Sequence, residues 1–337
     1  MTRKRAHRRR RRRRSWARSA HKAALARPMP TVTVAHVNCH GAAPAKLGAI
    51  AVHLRTQVTA AAGGRPPWIL GFVEAPVPVP ADAVSAMHMV QYRQPVRSVV
   101  VSALLAPHLK ATILHDSGCD ERSFLWLRVQ AADSPPVAVC IAYMPCYNST
   151  TEDAAPENRA YRATLPARPD AHSQLQAAVQ QYQLTMPVLV MGDLNLRIGR
   201  ATPEDWRDAH PPPAGEALHW PPTGEAILAT APRPCDVAAM ADICQQSLLP
   251  LHGQPGPPTF LQRRSGKLSG STLDYHLATR QLFAQRVPAA CVVDHTALVP
   301  NGNESADEAK GLAFVSDHAI LVSTFALPRG GGGVRRA

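Results

Sequence analysis

A mixed α+β fold is what this sequence predicts, on three observations. Short runs of β-branched and apolar residues recur along the chain, beginning with Thr31-Val32-Thr33-Val34-Ala35-His36-Val37. Stretches of helical composition separate some of them, at residues 45–62, 173–184 and 237–249. Most strand candidates finish on, or beside, a polar side chain, which collects reactive groups at strand ends and leaves the strand faces for packing.

Bulk composition narrows the class without naming a function. The chain of 337 residues is long enough for one large or two small domains and a sizeable core. Its formal charge of +13 is concentrated in a tail: residues 1–22 hold 12 Lys and Arg and no acid, and the remainder balances 25 basic against 24 acidic side chains. The run Arg8 to Arg14 repels itself and cannot pack, so residues 1–30 are expected to form a disordered basic tail. Nuclear import is the expected use of such a tail. A phosphate-binding arm and an organelle presequence are the other uses, since the first acidic residue is Glu74.

Seven cysteines, odd in number and never spaced as Cys-x-x-Cys, argue against a disulfide framework and against a structural zinc site. His36, Cys39 and His40 lie close in sequence, but alternate residues of a strand face opposite sides, so they do not form a zinc set. No apolar run approaches a membrane span, and no signal-type apolar segment follows the N-terminal charges.

Along the chain, Thr31 to Val37 is the first strand and ends on Asn38. Pro44 suits the start of the helix at 45–62, and Gly63-Gly64 ends it. Trp68 to Val73 reads as a buried strand with Glu74 at its end, and Val99 to Leu105, Phe124 to Val129 and Val137 to Met144 are further strands. Tyr143 lies near the end of the last, which Pro145 limits. A helix at 173–184 leads into Val188 to Met191, a run short and apolar enough for a strand buried on both faces, and Gly192 breaks it before Asp193 and Asn195. Residues 200–234 are rich in Pro, Ala and Gly and read as a long surface loop. The helix at 237–249 follows, then a short strand from Thr259-Phe260, the segment Ser271 to Leu277 containing Asp274, and Leu312 to Phe325 containing Ser316-Asp317-His318. Residues 328–337 form a Gly/Arg tail, so the expected domain spans 31–327.

Asp193 and Asn195 are the centre of the functional reading. Two residues apart on an extended segment they point the same way, so the carboxylate can take a proton from water while the amide orients a phosphate oxygen. Each candidate also has an ordinary structural use. Gly-Asp-x-Asn is common turn chemistry, Asn38 can cap a turn, Glu74 can be a strand-end charge facing water, and Tyr143 can be a half-buried sheet residue. Asp294-His295 competes with Asp317-His318, and the later pair is preferred because Ser316 precedes it and a final strand follows.

The order Asn38, Glu74, Tyr143, Asp193 with Asn195, Asp274, and Asp317 with His318 resembles the endonuclease/exonuclease/phosphatase (DNase-I-like) superfamily over about residues 31–327. The resemblance implies a four-layer α/β/β/α sandwich with the site at one open end. It implies Glu74 as the main Mg²⁺ ligand with Asn38 and Asp317 nearby, Mn²⁺ being an alternative ion. Asp193 takes the place of the residue that orients or deprotonates water, Asn195 and Tyr143 of phosphate contacts, and His318 with Asp274 of the site histidine and its carboxylate. His40 departs from the acidic residue that abasic-site endonucleases often carry there.

Within that superfamily, Ser271-Thr272-Leu273-Asp274-Tyr275 and the upstream Pro258-Thr259-Phe260 are similar to the endonuclease domain of non-LTR (LINE-type) retrotransposons, and unlike the Trp-Cys-Asp-Arg-like segment of inositol polyphosphate phosphatases. The implied activity is Mg²⁺-dependent nicking of DNA, with nucleic acid as partner, no membrane and no obligate protein partner. An inositol polyphosphate phosphatase and a catalytically inactive nucleic-acid binder are the alternatives. Such endonuclease domains are followed by a reverse transcriptase, whereas this chain ends soon after its last strand.

Overall fold

The computed structural model describes residues 31–39, 42, 44–64, 67–80, 84, 87–94, 99–114, 124–132, 134–144, 171–197, 217–219, 226–229, 234–244, 247–252, 258–264, 267–294 and 316–326. Both expected tails, His40, His295 and most of residues 200–234 lie outside them.

Strands and helices are numbered along the chain. β1 (Thr31–Asn38) and β2 (Ile69–Ala75) pair in parallel, which requires a crossover, and α1 (Pro44–Ala61) supplies it. As the sequence predicts, Pro44 opens this helix and glycines close it. Gly63 and Gly64 adopt φ of +65° and +86°, and the Gly64 amide donates to the Thr59 carbonyl at 2.8 Å. With β3 (His88–Gln94), β4 (Val99–Leu105), β15 (Val292–Asp294) and β16 (Ile320–Ala326) these strands form a six-stranded sheet in the order β15-β16-β1-β2-β4-β3.

A second six-stranded sheet, in the order β11-β14-β8-β7-β6-β5, contains β5 (Lys110–Ile113), β6 (Phe124–Gln130), β7 (Val137–Tyr143), β8 (Val188–Asp193), β11 (Leu248–Pro250) and β14 (Asp274–Thr279). Here β7 and β8 are the parallel pair, joined through a connection that includes α2 (Ala171–Gln183). A smaller sheet, β12-β13-β10-β9, contains β9 (Ala217–His219), β10 (Ala226–Ala229), β12 (Phe260–Arg264) and β13 (Lys267–Ser271).

Period-two alternation sorts the side chains into layers. On the first sheet Ala35, Val37, Leu70 and Phe72 face outward and pack under Leu47, Ile50, Leu54 and Val58 of α1. Val32, Val34 and Ile69 face inward and meet Leu125, Leu127, Val139, Ile141 and Leu189 of the second sheet. The second sheet's outer face, through Cys140, Val190 and Leu277, packs on α2 and on α3 (Pro234–Cys244). The protein is therefore an α+β sandwich with helices outside both sheets. The sheets press together so closely that a Cβ added to Gly71 would lie 2.8 Å from Met191 Cε of the other sheet.

Two expectations need correction. Residues 200–234 are not loop throughout, because β9 and β10 fall within them. These strands are three and four residues long, too short for alternation to show, and β10 is fixed by pairing with β13 and not by local propensity. The expected helix to residue 249 stops at Cys244, because Leu248 to Pro250 pair with β14 as an edge strand.

Candidate active site

The ends of β1, β2, β7 and β8 and the start of β14 come to one rim of the sandwich. Parallel pairing puts Asn38 beside Val73 and Tyr143 beside Asp193, and antiparallel pairing puts Asp274 opposite Asp193. At this end the inward-facing positions switch from apolar to polar: Asn38, His36, Asp193, Asp274 and His276 continue the alternation that carries Val34, Met191 and Ala278 into the core.

Asp193 is buried and accepts on both oxygens. Asn38 Nδ2 donates to its Oδ2 at 2.9 Å, Asn195 Nδ2 donates to the same oxygen at 3.2 Å, and the Asn195 backbone N–H donates to Oδ1 at 2.8 Å. The last contact is an Asx turn, so the turn chemistry and the site chemistry of Gly-Asp-x-Asn coexist. The two side chains do not meet by extension of the strand, as the spacing suggests. β8 ends at Asp193, and Asn195 turns back with φ +51°, tied by Nδ2 to the Met144 carbonyl at 2.7 Å. Left-handed backbone is tolerated by Asn, whose short amide bonds locally.

Asp274 and His318 form a buried ion pair, with Oδ2 2.8 Å from Nδ1. Burial alone would lower the pKa of the imidazole, but the Asp274 charge and hydrogen bond override it, with Asp193 and Asp317 adding, and His318 rises to about 10. Burial would likewise raise Asp274, but the His318 charge and hydrogen bond and the His36 contacts hold it at about 2. Asp193 goes the other way: burial first, then the Asp274 and Glu74 charges, push it well above the usual carboxylate range against the pull of His318 and the Asn195 amide. The site thus holds a carboxylate that favours a proton beside a permanent imidazolium–carboxylate pair.

The other three expected residues border this cluster. Glu74 is half-buried at a bulge in the β2–β4 ladder, holds φ +55°, and its charge acts on both Asp193 and Cys39. Asp317 is buried and its charge acts on His318. Tyr143 is buried on the inward face of β7, level with Asp193, among the residues packed between the sheets.

Donor atoms of Asp193, Asp274 and His318 all lie within 4.8 Å of one another, so this acidic and histidine cluster could bind a metal ion. The donor chemistry points mainly to its neighbours. Asp274 has an imidazole on each oxygen and a protonated His318 has no lone pair to give, whereas Glu74, Asn38, Asp317 and Asp193 offer the carboxylate and amide oxygens that a hard divalent cation takes.

Several supporting residues were given no role at the site from sequence. His36 Nε2 lies 3.2 Å from Asp274 Oδ1, and His36 Nδ1 lies 2.8 Å from His276 Nε2. Thr259 Oγ1 accepts from the backbone N–H groups of Leu273 and Asp274 at 2.9 and 3.0 Å. Ser316 Oγ donates to the Asn38 carbonyl at 3.0 Å and accepts from the His318 N–H at 3.1 Å, so the residue that favoured Asp317-His318 over its decoy also ties that segment to β1. Asp294 lies instead in the edge strand β15. The period was the available signal: His36 stands two before Asn38 and His276 two after Asp274, so each shares its neighbour's inward face. Cys39 packs in the outer layer against α1, away from His36, as alternation requires.

Comparison with known proteins places this geometry among relatives. The family model described as "Endonuclease/Exonuclease/phosphatase family" matches residues 14–318. No curated protein sequence matches. Among solved structures, the chain is similar to the endonuclease domain of TRAS1, a telomere-specific non-LTR retrotransposon, at 12% identity and a TM-score of 0.53, covering 88% of this chain and 99% of that one. It is also similar to a Neisseria 3′ phosphatase, NExo, bound to a product DNA hairpin, at 15% identity and a TM-score of 0.53 over 87% and 99% of the two chains. An AP endonuclease from Archaeoglobus fulgidus matches at 16% identity and a TM-score of 0.52 over 88% and 100%. At these identities the structural likeness concerns the fold.

Proposed function

Because this chain belongs to the endonuclease/exonuclease/phosphatase family, we propose that it is a divalent-cation-dependent phosphodiesterase that nicks DNA in the manner of the retrotransposon endonuclease domains. The observation that carries the reading is the convergence at one rim of Asp193, held by Asn38 and Asn195, with the facing Asp274–His318 ion pair. A carboxylate beside a charged imidazole is what hydrolysis of a phosphodiester requires.

In the proposed reaction Asp193 accepts a proton of the attacking water as the water oxygen bonds to phosphorus and the P–O bond to the leaving sugar oxygen breaks, that oxygen taking a proton from solvent. Asn195 and Tyr143 orient phosphate oxygens. Negative charge builds on the non-bridging oxygens, and His318 donates to them from Nε2–H, its other nitrogen being held by Asp274. Glu74, with Asn38 and Asp317, would hold Mg²⁺ or Mn²⁺, which when bound supplies Lewis-acid stabilisation of the same charge.

Nucleic acid is favoured as substrate by two features. The structural relatives named above are nucleic-acid enzymes, one of them bound to DNA. The 12 basic residues among residues 1–22, with no acid, suit a phosphate-binding arm, and the same segment suits nuclear import. If the arm binds DNA, deleting residues 1–22 should flatten the dependence of affinity on salt, because fewer counterions are released.

The test is nicking of supercoiled plasmid with Mg²⁺, with and without EDTA, beside Asp193→Asn. Nicking that needs the cation and disappears in the variant supports the proposal. Cation-dependent phosphate release from inositol polyphosphates without nicking would replace it with the phosphatase reading. DNA binding with neither activity would mark an inactive descendant.

A further inference from the structure

Behind the candidate catalytic pair runs a chain of buried side chains that the proposed reaction does not use. Its links are Ser323 Oγ to His276 Nδ1 at 2.7 Å, His276 Nε2 to His36 Nδ1 at 2.8 Å, and His36 Nε2 to Asp274 Oδ1 at 3.2 Å. Ser323 and His36 lie in the first sheet, on β16 and β1, and His276 and Asp274 in the second, on β14. All four residues are fully buried, between two sheets whose remaining inward side chains are largely apolar. His252, whose Nε2–H donates to the Val322 carbonyl at 3.0 Å, packs its ring 5.2 Å from that of His276.

Imidazoles in such a layer cost stability unless each nitrogen is satisfied, and an order that starts from the Asp274 carboxylate satisfies every one of them. Asp274 already accepts from His318 Nδ1 on Oδ2, so its other oxygen also serves as acceptor and His36 must present Nε2–H. With that single proton on His36, Nδ1 accepts from His276 Nε2–H and His276 Nδ1 accepts from the Ser323 hydroxyl, so the two imidazoles and the hydroxyl all point their protons toward Asp274. Burial pushes the His276 pKa well below the usual range.

We propose that His36 is a positioning residue for the phosphodiesterase site: backed by His276 and Ser323, it clamps Asp274 Oδ1 so that Oδ2 stays directed at His318. Without that clamp a carboxylate can rotate about its terminal torsion, since such sp² torsions are broad. With it, both oxygens are fixed, one by His36 of the first sheet and the other by His318. The clamp acts through Asp274 and has no contact with substrate. The inference therefore rests on the function proposed above only for its kinetic consequence; the hydrogen-bond order is a property of the fold.

The test has two arms on the full chain. Long-range ¹H–¹⁵N correlation of the histidine rings in the cation-free wild type reads each tautomer, assigned with His36→Gln and His276→Gln. The expected result is Nε2–H on both His36 and His276 with a downfield Nδ1–H for His318. Finding His36 as the Nδ1–H tautomer would overturn the proposal, whether or not the protein has activity.

In the kinetic arm, His36→Phe keeps an aromatic ring at the position and removes the donor, and should lower kcat by about tenfold with KM unchanged, the loss of one hydrogen bond to a charged group. It should also displace the His318 Nδ1–H resonance. His36→Gln retains an N–H donor and should recover most of both. If His36→Phe folds with native kcat and an unmoved His318 resonance, or if folded His36→Gln is as impaired as His36→Phe, the clamp is refuted. Should His36→Phe fail to fold, the tautomers and the His36→Gln variant still decide. A wild type inactive on DNA would defeat the functional reading alone, because the tautomers would remain to be read.

Discussion

Asp193 and Asp274 face each other as register partners across the β8–β14 ladder, yet they titrate in opposite directions. The difference lies in what each is given. Asp274 has an imidazole on either oxygen, whereas among the described residues Asp193 has amide donors and faces the charges of Asp274 and Glu74 as well as that of His318. Burial is common to both, so the partners decide the outcome.

A pH dependence of stability follows for the cation-free protein. His318 moves from 6.5 unfolded to about 10 folded, so its contribution is full below about 6.5 and is lost as pH rises toward 10. Asp274 moves from 3.8 to about 2, so its contribution is full above 3.8 and is lost as pH falls through 2. The raised Asp193 contributes a loss that begins as pH rises above its unfolded value of 3.8, since ionising it costs more in the folded state. Urea midpoints in EDTA should therefore decline from pH 6.5 to pH 10, and His318→Asn should decline less steeply. Parallel slopes for the two proteins would contradict the ion pair.

His318→Ala should reduce nicking turnover by roughly a thousandfold, the contribution of a positioned acid–base group. The protein should remain folded but less stable, because the ring lies at the rim against Phe260, 5.0 Å away between centroids, while Asp274 is left buried without its imidazolium partner. Thermal melting and single-turnover rates measured together separate the two effects. A variant within a few-fold of wild type would remove His318 from the reaction.

Much of this was legible in sequence because the fold repeats one rule. Inward and outward faces alternate, and polar residues gather where the parallel strands finish, so Asn38 and Asp193 could be placed from position, whereas Asp274 and His318 were named through the order that resembles the superfamily. What escaped had no local signature. β9 and β10 are strands through pairing with β13, and Leu248 to Pro250 left the helical pattern because β14 needed an edge partner. The pairing of Asn195 with Asp193 was anticipated, but the turn that makes it depends on a left-handed residue and on the Met144 carbonyl from the neighbouring strand. His36 and His276 carried the right period, but their contact spans 240 residues and both sheets.

Gly192→Ala should destabilise the fold severely, by about 3 kcal/mol or more. Gly192 has φ +142°, and an added Cβ would lie 2.0 Å from the Ala142 carbonyl oxygen and 2.9 Å from the Ala142 nitrogen, backbone atoms of the paired strand that cannot step aside. The glycine is therefore what lets β8 deliver Asp193 while staying in register with β7. Chemical denaturation measures the change. A loss under about 1 kcal/mol would show that the strand end can shift without cost.

Glu74 combines a strained backbone with an unfavourable charge, and the two should separate stability from function. Its φ of +55° is costly for a side chain with a Cβ, and its carboxylate adds to the charge that already raises Asp193. Glu74→Gly removes both penalties and should stabilise the cation-free protein by about 1 kcal/mol. Glu74→Gln keeps the backbone penalty and removes only the charge, so it should gain less. Both should require more Mg²⁺ for half-maximal nicking, with Glu74→Gly the more impaired because it offers no oxygen at all. Urea denaturation in EDTA and a Mg²⁺ titration of the nicking rate test the pair. Unchanged Mg²⁺ requirement in Glu74→Gly would move the cation away from this residue, and a loss of stability in the same variant would show that the strained turn is held by contacts of the Glu74 side chain.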